Sequence, residues 1–335
     1  MLTDSAINIE TKYSKERIVE LFKSVDASEL NKLIIDAENI SAVNFDNSIK
    51  IIGQINFSNY CEDNCNYCDL REENFSLDRY RVTADEIINK AIQLSNLGLR
   101  KILLESGKDT YFDTDIIAYI IYSIKQKADI SIILSLGERS FEEYKRWKLA
   151  GADSYLLKFE TSNPQLFSKM HNGMSLDVRL RHLSYLKKVG FNVGSGSIIG
   201  LPNQTAEDLT NDIFMCKELD LDFSVFSSFT PLPFTPMQNN PECGENILIK
   251  FLSLARLVLK SSDISYLSVN ETGFNKYNST GLRSGTNNTI LNFPFEVEEE
   301  SLVLYPSQKK KKKSPSEIHT NMKVTIESLG KKVAG

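Results

Sequence analysis

The fold is decided by the stretch Ile51-Ile-Gly-Gln-Ile-Asn-Phe57-Ser-Asn-Tyr-Cys61-Glu-Asp-Asn-Cys65-Asn-Tyr67-Cys68. Its first part, Ile51–Phe57, is a short apolar run of the kind that forms a buried strand. Three cysteines follow within eight residues, at Cys61, Cys65 and Cys68. The cysteines are therefore expected in the loop at the carboxyl end of a buried strand.

The rest of the chain repeats this pattern of a short apolar strand followed by a longer helix. The candidate strands are Ile51–Phe57, Lys101–Glu105, Ile130–Leu136, Ser154–Phe159, Asn192–Ile199, Phe223–Phe226, Ile264–Val269 and Thr289–Leu291. The candidate helices include Ala84–Leu97, Phe141–Ala150, Leu176–Lys188, Ala206–Leu219 and Ile247–Leu259. Alternation with a repeat of about 30 residues predicts a parallel sheet. The eight candidates predict an α/β fold with a (β/α)8 barrel of the TIM type; a partial barrel of six strands is also compatible, because the last two units are weak.

Two helical segments flank the predicted barrel. At the amino end, apolar residues at helical spacing after Ser14 and over Ala27–Ala37 predict a helical extension. At the carboxyl end, Ile318–Leu329 predicts a closing helix. The predicted division is an N-terminal helical extension over 1–47, the barrel over 48–292 and a C-terminal segment over 293–335 that closes the barrel.

Composition describes an ordinary globular chain with no electrostatic preference for nucleic acid. Hydrophobic residues make up 41% and charged residues 25% of the 335 residues, and the net charge is −5. The run Lys309–Lys313 indicates a nuclear-targeting or nucleic-acid patch or, more simply, a solvated loop. No stretch approaches the ~20 apolar residues of a membrane span, and the first residues carry no secretory signal. We therefore expect a cytoplasmic protein with no nucleic-acid or membrane partner.

The five cysteines indicate metal ligands or core residues rather than disulfides, because thiols stay reduced in the cytosol. Cys216 is expected in the core, and Cys243 is expected to be free and exposed, with no role. The three clustered thiolates suit an iron–sulfur cubane and leave one of its four irons open to a small molecule. Zinc is the weaker interpretation, because it takes four ligands and no fourth cysteine or histidine lies nearby in the sequence.

The spacing C-x3-C-x2-C, with Tyr67 before the last cysteine, resembles the signature of the radical S-adenosylmethionine (SAM) superfamily. The resemblance implies a [4Fe–4S] cluster on Cys61, Cys65 and Cys68 whose fourth iron binds SAM. It implies an enzyme that reductively cleaves SAM to methionine and a 5′-deoxyadenosyl radical, which acts on a small substrate in the barrel. An electron donor such as flavodoxin or ferredoxin is implied as a partner.

Within that superfamily the chain resembles HydE, the [FeFe]-hydrogenase maturase family, in the group that includes biotin synthase and methylornithine synthase. The segments that carry the resemblance are Asn59–Cys61, Leu70–Asn74, Arg79–Arg81, Glu105–Asp109, Ser135–Arg139, Lys158–Thr161, Gly194–Ser197, Gly200–Thr205, Thr230–Pro233 and Thr235–Pro236. The resemblance covers about Ile51 to Pro236 and returns at Ile326–Gly330. It implies either a divergent maturase or a paralogue with a different substrate.

The same resemblance implies a set of SAM-binding residues. They are Tyr67, Ser106, Gly107, Glu160, Arg179, Gly200 and Leu201. Glu160 would receive the SAM ammonium, and Arg179 would pair with the SAM carboxylate, for which a guanidinium fork is suited. Ser106 and Gly107 would offer hydroxyl and backbone groups, and Tyr67 would lie beside the adenine. The glycines before Leu201 would let the adenosine approach the backbone closely.

The chain departs from the family pattern where the substrate is chosen. Glu105 stands where the family commonly has Gln, and Lys158-Phe159-Glu160 stands in place of Arg-His-Glu. A threonine pair expected near the seventh strand aligns best with Leu267-Ser268. Of two expected tyrosines, Tyr305 is kept and Leu302 replaces the other. Because an unpaired buried polar group costs ~1–3 kcal/mol, the candidate substrate residues Glu105, Ser268 and Tyr305 are expected to receive a different ligand.

Two alternatives stay open at this point. One is a mutase similar to methylornithine synthase, which rearranges the carbon skeleton of an amino acid. The other, from a different class, is a non-catalytic iron–sulfur scaffold or carrier that binds a cluster without cleaving SAM. Glu160 and Arg179 favour an enzyme, because a scaffold has no use for a SAM pocket.

Overall fold

Eight strands form a closed parallel barrel at the centre of the molecule, in a computed structural model that describes residues 13–267, 280–297, 300–302 and 313–334. The strands are β1 (Ser48–Ser58), β2 (Lys101–Ser106), β3 (Ser131–Ser135), β4 (Ser154–Leu156), β5 (Asn192–Ser195), β7 (Phe223–Ser228), β8 (Asp263–Tyr266) and β9 (Asn288–Asn292), and β6 (Ile198–Ile199) adds a short pairing to β7. Neighbours pair in chain order, and β9 pairs back onto β1 with Thr289 opposite Ile51. The (β/α)8 barrel is confirmed, and the barrel of six strands was wrong.

Helices surround the barrel. They are α1 (Lys15–Lys23), α2 (Ala27–Phe45), α3 (Ala84–Asn96), α4 (Thr114–Lys127), α5 (Phe141–Ala150), α6 (Pro164–Met170), α7 (Leu176–Val189), α8 (Ala206–Glu218), α9 (Glu245–Leu259) and α10 (Pro315–Ser328). Four begin with a capping box, in which the side chains of the cap residue and the third helical residue bond each other's backbone N–H. Three of these caps, Thr83, Ser140 and Thr205, fix where the loops that follow barrel strands end. Among the described residues, no helix is long and apolar enough to cross a bilayer.

The two flanking segments join the barrel in different ways. The N-terminal helix α2 packs against α9, and the Lys250 ammonium of α9 donates a 3.2 Å hydrogen bond to the Phe22 carbonyl of α1. α2 continues to Phe45 rather than ending at Ala37. At the other end, β12 (Lys332–Val333) pairs in parallel with the start of β1, and β10 (Phe295–Val297) and β11 (Glu300–Leu302) form an antiparallel hairpin.

The barrel interior changes from apolar at its base to polar above, because side chains alternate between the two faces along each strand. The apolar base is formed by Ile52, Leu103, Ile133, Leu156, Phe223, Val225 and Ile290. Two residues further along these strands, on the same face, come the cavity-lining Gln54, Glu105, Ser135, Lys158, Ser227 and Asn292. The plugged base places the cavity toward the carboxyl ends of the strands, where the cysteine loop lies.

The two remaining cysteines are both buried. Cys216 lies in the core against Leu209 and Ile213, as expected. The expectation that Cys243 is exposed was wrong, because its side chain is packed beside Gly200. A Cβ added to Gly200 would lie 2.6 Å from the Cys243 sulfur, so this contact requires glycine at position 200.

Candidate active site

The cysteine loop is fastened to the barrel mouth by backbone contacts. The Glu62 N–H donates to the Lys108 carbonyl at 3.0 Å, and the Asn66 N–H donates to the Met170 carbonyl at 2.8 Å. Arg79 holds the far side of the loop through the carbonyls of residues 59, 70 and 71. Gly107 lies directly beneath: an added Cβ would overlap the Tyr60 carbonyl. Glycine at this position lets the loop close over the strand end.

The three loop thiols line one cavity with a volume of about 240 Å³. Burial is the main reason that the pKa of each thiol is raised, for Cys65 to about 12. Each thiolate would also raise the pKa of its neighbours, so bare protein holds these sulfurs protonated. In the described part of the chain, no group of three or more His, Cys, Asp or Glu side chains has the geometry to hold a single metal ion.

One residue of the site, His171, was not predicted from the sequence. Its Nδ1 lies 3.2 Å from the Cys65 sulfur, and its ring stacks on Phe167 at a centroid distance of 4.2 Å. Burial lowers the pKa of His171 well below its usual range, so the imidazole is neutral. Its Nε2 has no hydrogen-bond partner among the described residues. His171 lies 106 positions from Cys65, so only the fold reveals the contact.

Glu160 is held in an unusual conformation shortly after the end of β4. Its φ of 62° lies in the left-handed region, and two backbone hydrogen bonds fix it there, to the Gly196 carbonyl at 3.0 Å and from the Ile198 N–H at 2.8 Å. The Tyr67 hydroxyl donates to Glu160 Oε1 at 3.3 Å, and the Lys158 ammonium lies 2.8 Å from Oε2. The carboxylate is thereby aimed into the cavity.

Arg179 enters the same cavity from helix α7, with its guanidinium almost fully buried. Its Nε lies 2.5 Å from Glu138 Oε1, and Nη1 donates to the Lys158 carbonyl. Glu138 is a second residue that the sequence did not single out. It holds the guanidinium in place, as a buried cation requires.

The other predicted residues are divided between the cavity and its surroundings. Ser106, Gly107 and Tyr67 line the cavity. Gly200 and Leu201 do not; Leu201 packs with Ile198 in an apolar cluster that also contacts Tyr67. Ser268 and Tyr305 lie outside the described residues, as do positions 309–312 of the lysine run.

The lower part of the cavity is polar. Gln54 donates a hydrogen bond to Glu105 Oε2, and the Ser135 hydroxyl lies 3.4 Å from Oε1. The Lys158 ammonium also donates to the Ser227 hydroxyl at 2.8 Å. Leu267 also lines the cavity.

Comparison with known proteins identifies the family. The family model described as the radical SAM superfamily matches residues 55–216. The chain is 35% identical over 297 residues to the [FeFe] hydrogenase maturase subunit HydE of Thermotoga maritima, covering 89% of this chain and 85% of that protein. This chain belongs to the radical SAM superfamily.

Two further proteins are similar to this chain. A biotin synthase of Clostridium botulinum is 28% identical over 283 residues, covering 83% of this chain and 86% of that protein. The crystal structure of methylornithine synthase matches with a TM-score of 0.85 and 21% identity, over 96% of this chain and 94% of that one. This likeness confirms the barrel fold. Radical SAM enzymes bind a [4Fe–4S] cluster and SAM and act on small molecules, and this chain is such an enzyme.

Proposed function

We propose that Cys61, Cys65 and Cys68 hold the [4Fe–4S] cluster and that the cavity beside them receives SAM. The observation that carries this proposal is that the three thiols line the same cavity as Glu160 and Arg179. The donor set fits the cluster, because cluster irons bind cysteine sulfur and their positive charge favours the thiolates that burial alone disfavours. Bound there, the cluster supplies the electron for reductive cleavage of SAM.

The protein groups around this position have distinct tasks. Glu160 accepts the SAM ammonium, and the Lys158 ammonium, 2.8 Å from Glu160 Oε2, holds the carboxylate in place. Arg179, oriented by Glu138, donates to the SAM carboxylate. Tyr67 and Ser106 border the same space. Gly200 and Leu201 act from behind this wall rather than by lining the cavity, Leu201 through the apolar cluster that Tyr67 touches and Gly200 through its packing on Cys243.

We infer a HydE-like role, as a divergent maturase or as a paralogue with another substrate. The 35% identity to the Thermotoga maritima maturase subunit supports it. The mutase alternative rests on the fold likeness to methylornithine synthase and on 25% identity to the enzyme of Methanosarcina acetivorans. A genome that lacks [FeFe]-hydrogenase and its other maturation genes would exclude the maturase.

Three further expectations belong to the same proposal. A flavodoxin or ferredoxin would deliver the electron, in the cytoplasm and without a nucleic-acid or membrane partner. The barrel over 48–292 would carry the chemistry. The extension over 1–47 and the segment over 293–335 would support it, since α2 packs on α9 and β12 extends the start of β1.

The test is anaerobic reconstitution with iron and sulfide, followed by dithionite and SAM. We expect the protein to turn brown, with the visible absorbance of an iron–sulfur cluster, and to form 5′-deoxyadenosine. Cys65→Ala is expected to lose both, because a cubane with two thiolates lacks its third anchor. Cys216→Ala, a matched cysteine outside the cavity, is expected to keep both. An intact cluster that yields no 5′-deoxyadenosine would leave the scaffold alternative in place.

A further inference from the structure

Glu105 lies deep in the barrel, directly above its apolar base. It follows Leu103, a residue of that base, on the inward face of β2, and the part of its side chain that stays accessible faces the cavity. Among the described residues, the hydrogen-bond partners of its carboxylate are two neutral side chains, Gln54 and Ser135. No Lys, Arg or His among the described residues lies within 4.0 Å of it. A buried carboxylate without a cationic partner is a costly feature.

The nearest cation in the cavity is already engaged. The Lys158 ammonium lies 2.8 Å from Glu160 Oε2 and donates at 2.8 Å to Ser227. Ser135 pairs with Glu105, and the register of β3 and β4 brings Leu156 to the same height in the barrel. Lys158 is the next inward residue after Leu156, so it lies closer to the barrel mouth than Glu105. Lys158 therefore contacts groups of the upper part of the cavity, and it acts on Glu105 only through space, as a charge that favours the ionised carboxylate.

A second acceptor at the level of Glu105 also lacks a donor. Asn56 stands opposite Glu105 in the register of β1 and β2. Its amide nitrogen donates to Asn292 at 3.2 Å, while its buried side-chain oxygen has no hydrogen-bond partner among the residues described. The carboxylate and this oxygen together form an acceptor-rich end of the cavity, which matches a group with several N–H donors and a positive charge.

We propose that Glu105 receives a terminal ammonium of the substrate, remote from any carboxylate, so that the enzyme acts on a primary amine or on an amino acid whose side-chain ammonium lies at the bottom of the cavity. This inference rests on the proposed function, because it puts the substrate below the position assigned to SAM. Burial raises the pKa of Glu105, and a bound ammonium would favour the ionised carboxylate. An anionic end group would face two acceptors and be rejected.

The test measures binding to the reconstituted, SAM-loaded holoenzyme by anaerobic calorimetry. The probes are L-2,4-diaminobutyrate, L-ornithine and L-lysine, each compared with the isostere in which a methyl replaces the terminal ammonium: L-norvaline, L-norleucine and L-2-aminoheptanoate. We expect at least one amine to bind about tenfold more tightly than its isostere, and Glu105→Gln to reduce that preference by about tenfold. Glu142→Gln, at an exposed helix position, is the matched control and is expected to keep it.

The outcomes separate this inference from the proposed function. Formation of 5′-deoxyadenosine by the wild-type enzyme without probe reports the proposed function alone. If that product forms but no amine binds better than its isostere, or if Glu105→Gln keeps the preference, the ammonium assignment is wrong. Glu105→Asp, which retains the charge, is expected to keep part of the preference and replaces Glu105→Gln if the latter has low iron content or a lowered Tm.

Discussion

Replacing Asp212 with asparagine is expected to make the stability of the enzyme less sensitive to pH, because of where this carboxyl lies. Asp212 is fully buried in α8, where Oδ1 accepts from the Ser162 N–H at 2.6 Å and Oδ2 from Gln204 Nε2 at 3.0 Å. Gln204 in turn accepts from the Gly200 N–H at 2.7 Å. Asp212 therefore ties together the two chain segments that follow Glu160 and β6.

Burial raises the pKa of Asp212 from 3.8 to about 7. A carboxyl with a raised pKa binds its proton more tightly in the folded state, so stability is lost as the pH rises from about 4 to about 7 and stays lost above. With these two pKa values, the loss between pH 5 and pH 8 is about 2.5 kcal/mol. Asparagine keeps the oxygen that accepts from Ser162 and does not ionise, so Asp212→Asn removes this loss.

The assay is anaerobic thermal unfolding of the holoenzyme at pH 5, 6, 7 and 8. With an unfolding entropy of ~2.1 cal/mol/K per residue, 2.5 kcal/mol corresponds to a Tm change of about 3–4 °C. We expect the Tm of Asp212→Asn relative to wild type to rise by that amount from pH 5 to pH 8. Asp220→Asn is the control, because its side chain is fully exposed, and it is expected to show no trend.

A constant Tm difference across this pH range would refute the raised pKa of Asp212. A second variant tests the hydrogen bonds themselves. Asp212→Ala leaves both the Ser162 N–H and the Gln204 amide without their acceptor, at ~1–3 kcal/mol each, whereas Asp212→Asn leaves the Gln204 amide alone without one. It is therefore expected to be less stable than Asp212→Asn at every pH and to bind SAM more weakly.

Two further predictions concern the cysteine loop and the barrel's outer shell. Gly107→Ala places a Cβ against the Tyr60 carbonyl and 2.7 Å from Cys61 Cβ, so the iron content after reconstitution should fall by more than half. Gly98→Ala is the control: an added Cβ there meets nothing within 4 Å, so the iron content should be unchanged despite some backbone strain. Arg256→Met removes a guanidinium that bonds the Gly285 carbonyl and three other oxygens, which should cost at least ~3 kcal/mol, measured as a Tm lowered by about 4 °C or more.

The barrel could be predicted because its strands are buried on both faces and read as continuous apolar runs. Strand ends were less certain: the run Ser154–Phe159 keeps strand pairing only to Leu156, since the chain then turns into the left-handed conformation at Glu160. Helix α4 was missed because its sequence, rich in isoleucine and tyrosine, has a strand-like composition.

The site could be predicted only in part. Spacing alone showed the cysteines, since they lie within one loop. His171 and Glu138 depend on contacts made across the barrel mouth, 106 residues from Cys65 in the first case and 41 from Arg179 in the second. The placement of Gly200 behind the cavity wall follows from its packing on Cys243, which no local pattern reveals.

Inward side chains at different depths of the barrel have different proposed roles. At the mouth, the groups proposed to hold the cluster and SAM come with their own charge partners: Glu160 with Lys158, and Arg179 with Glu138. One layer deeper, Glu105 has neutral donors only. Because charge at the upper layer is already balanced by protein groups, a change at the lower layer can alter the substrate without disturbing the radical source. In the proposed assignment, the carboxylate at position 105 selects the substrate, and the charge pairs at the mouth keep the radical source as it is.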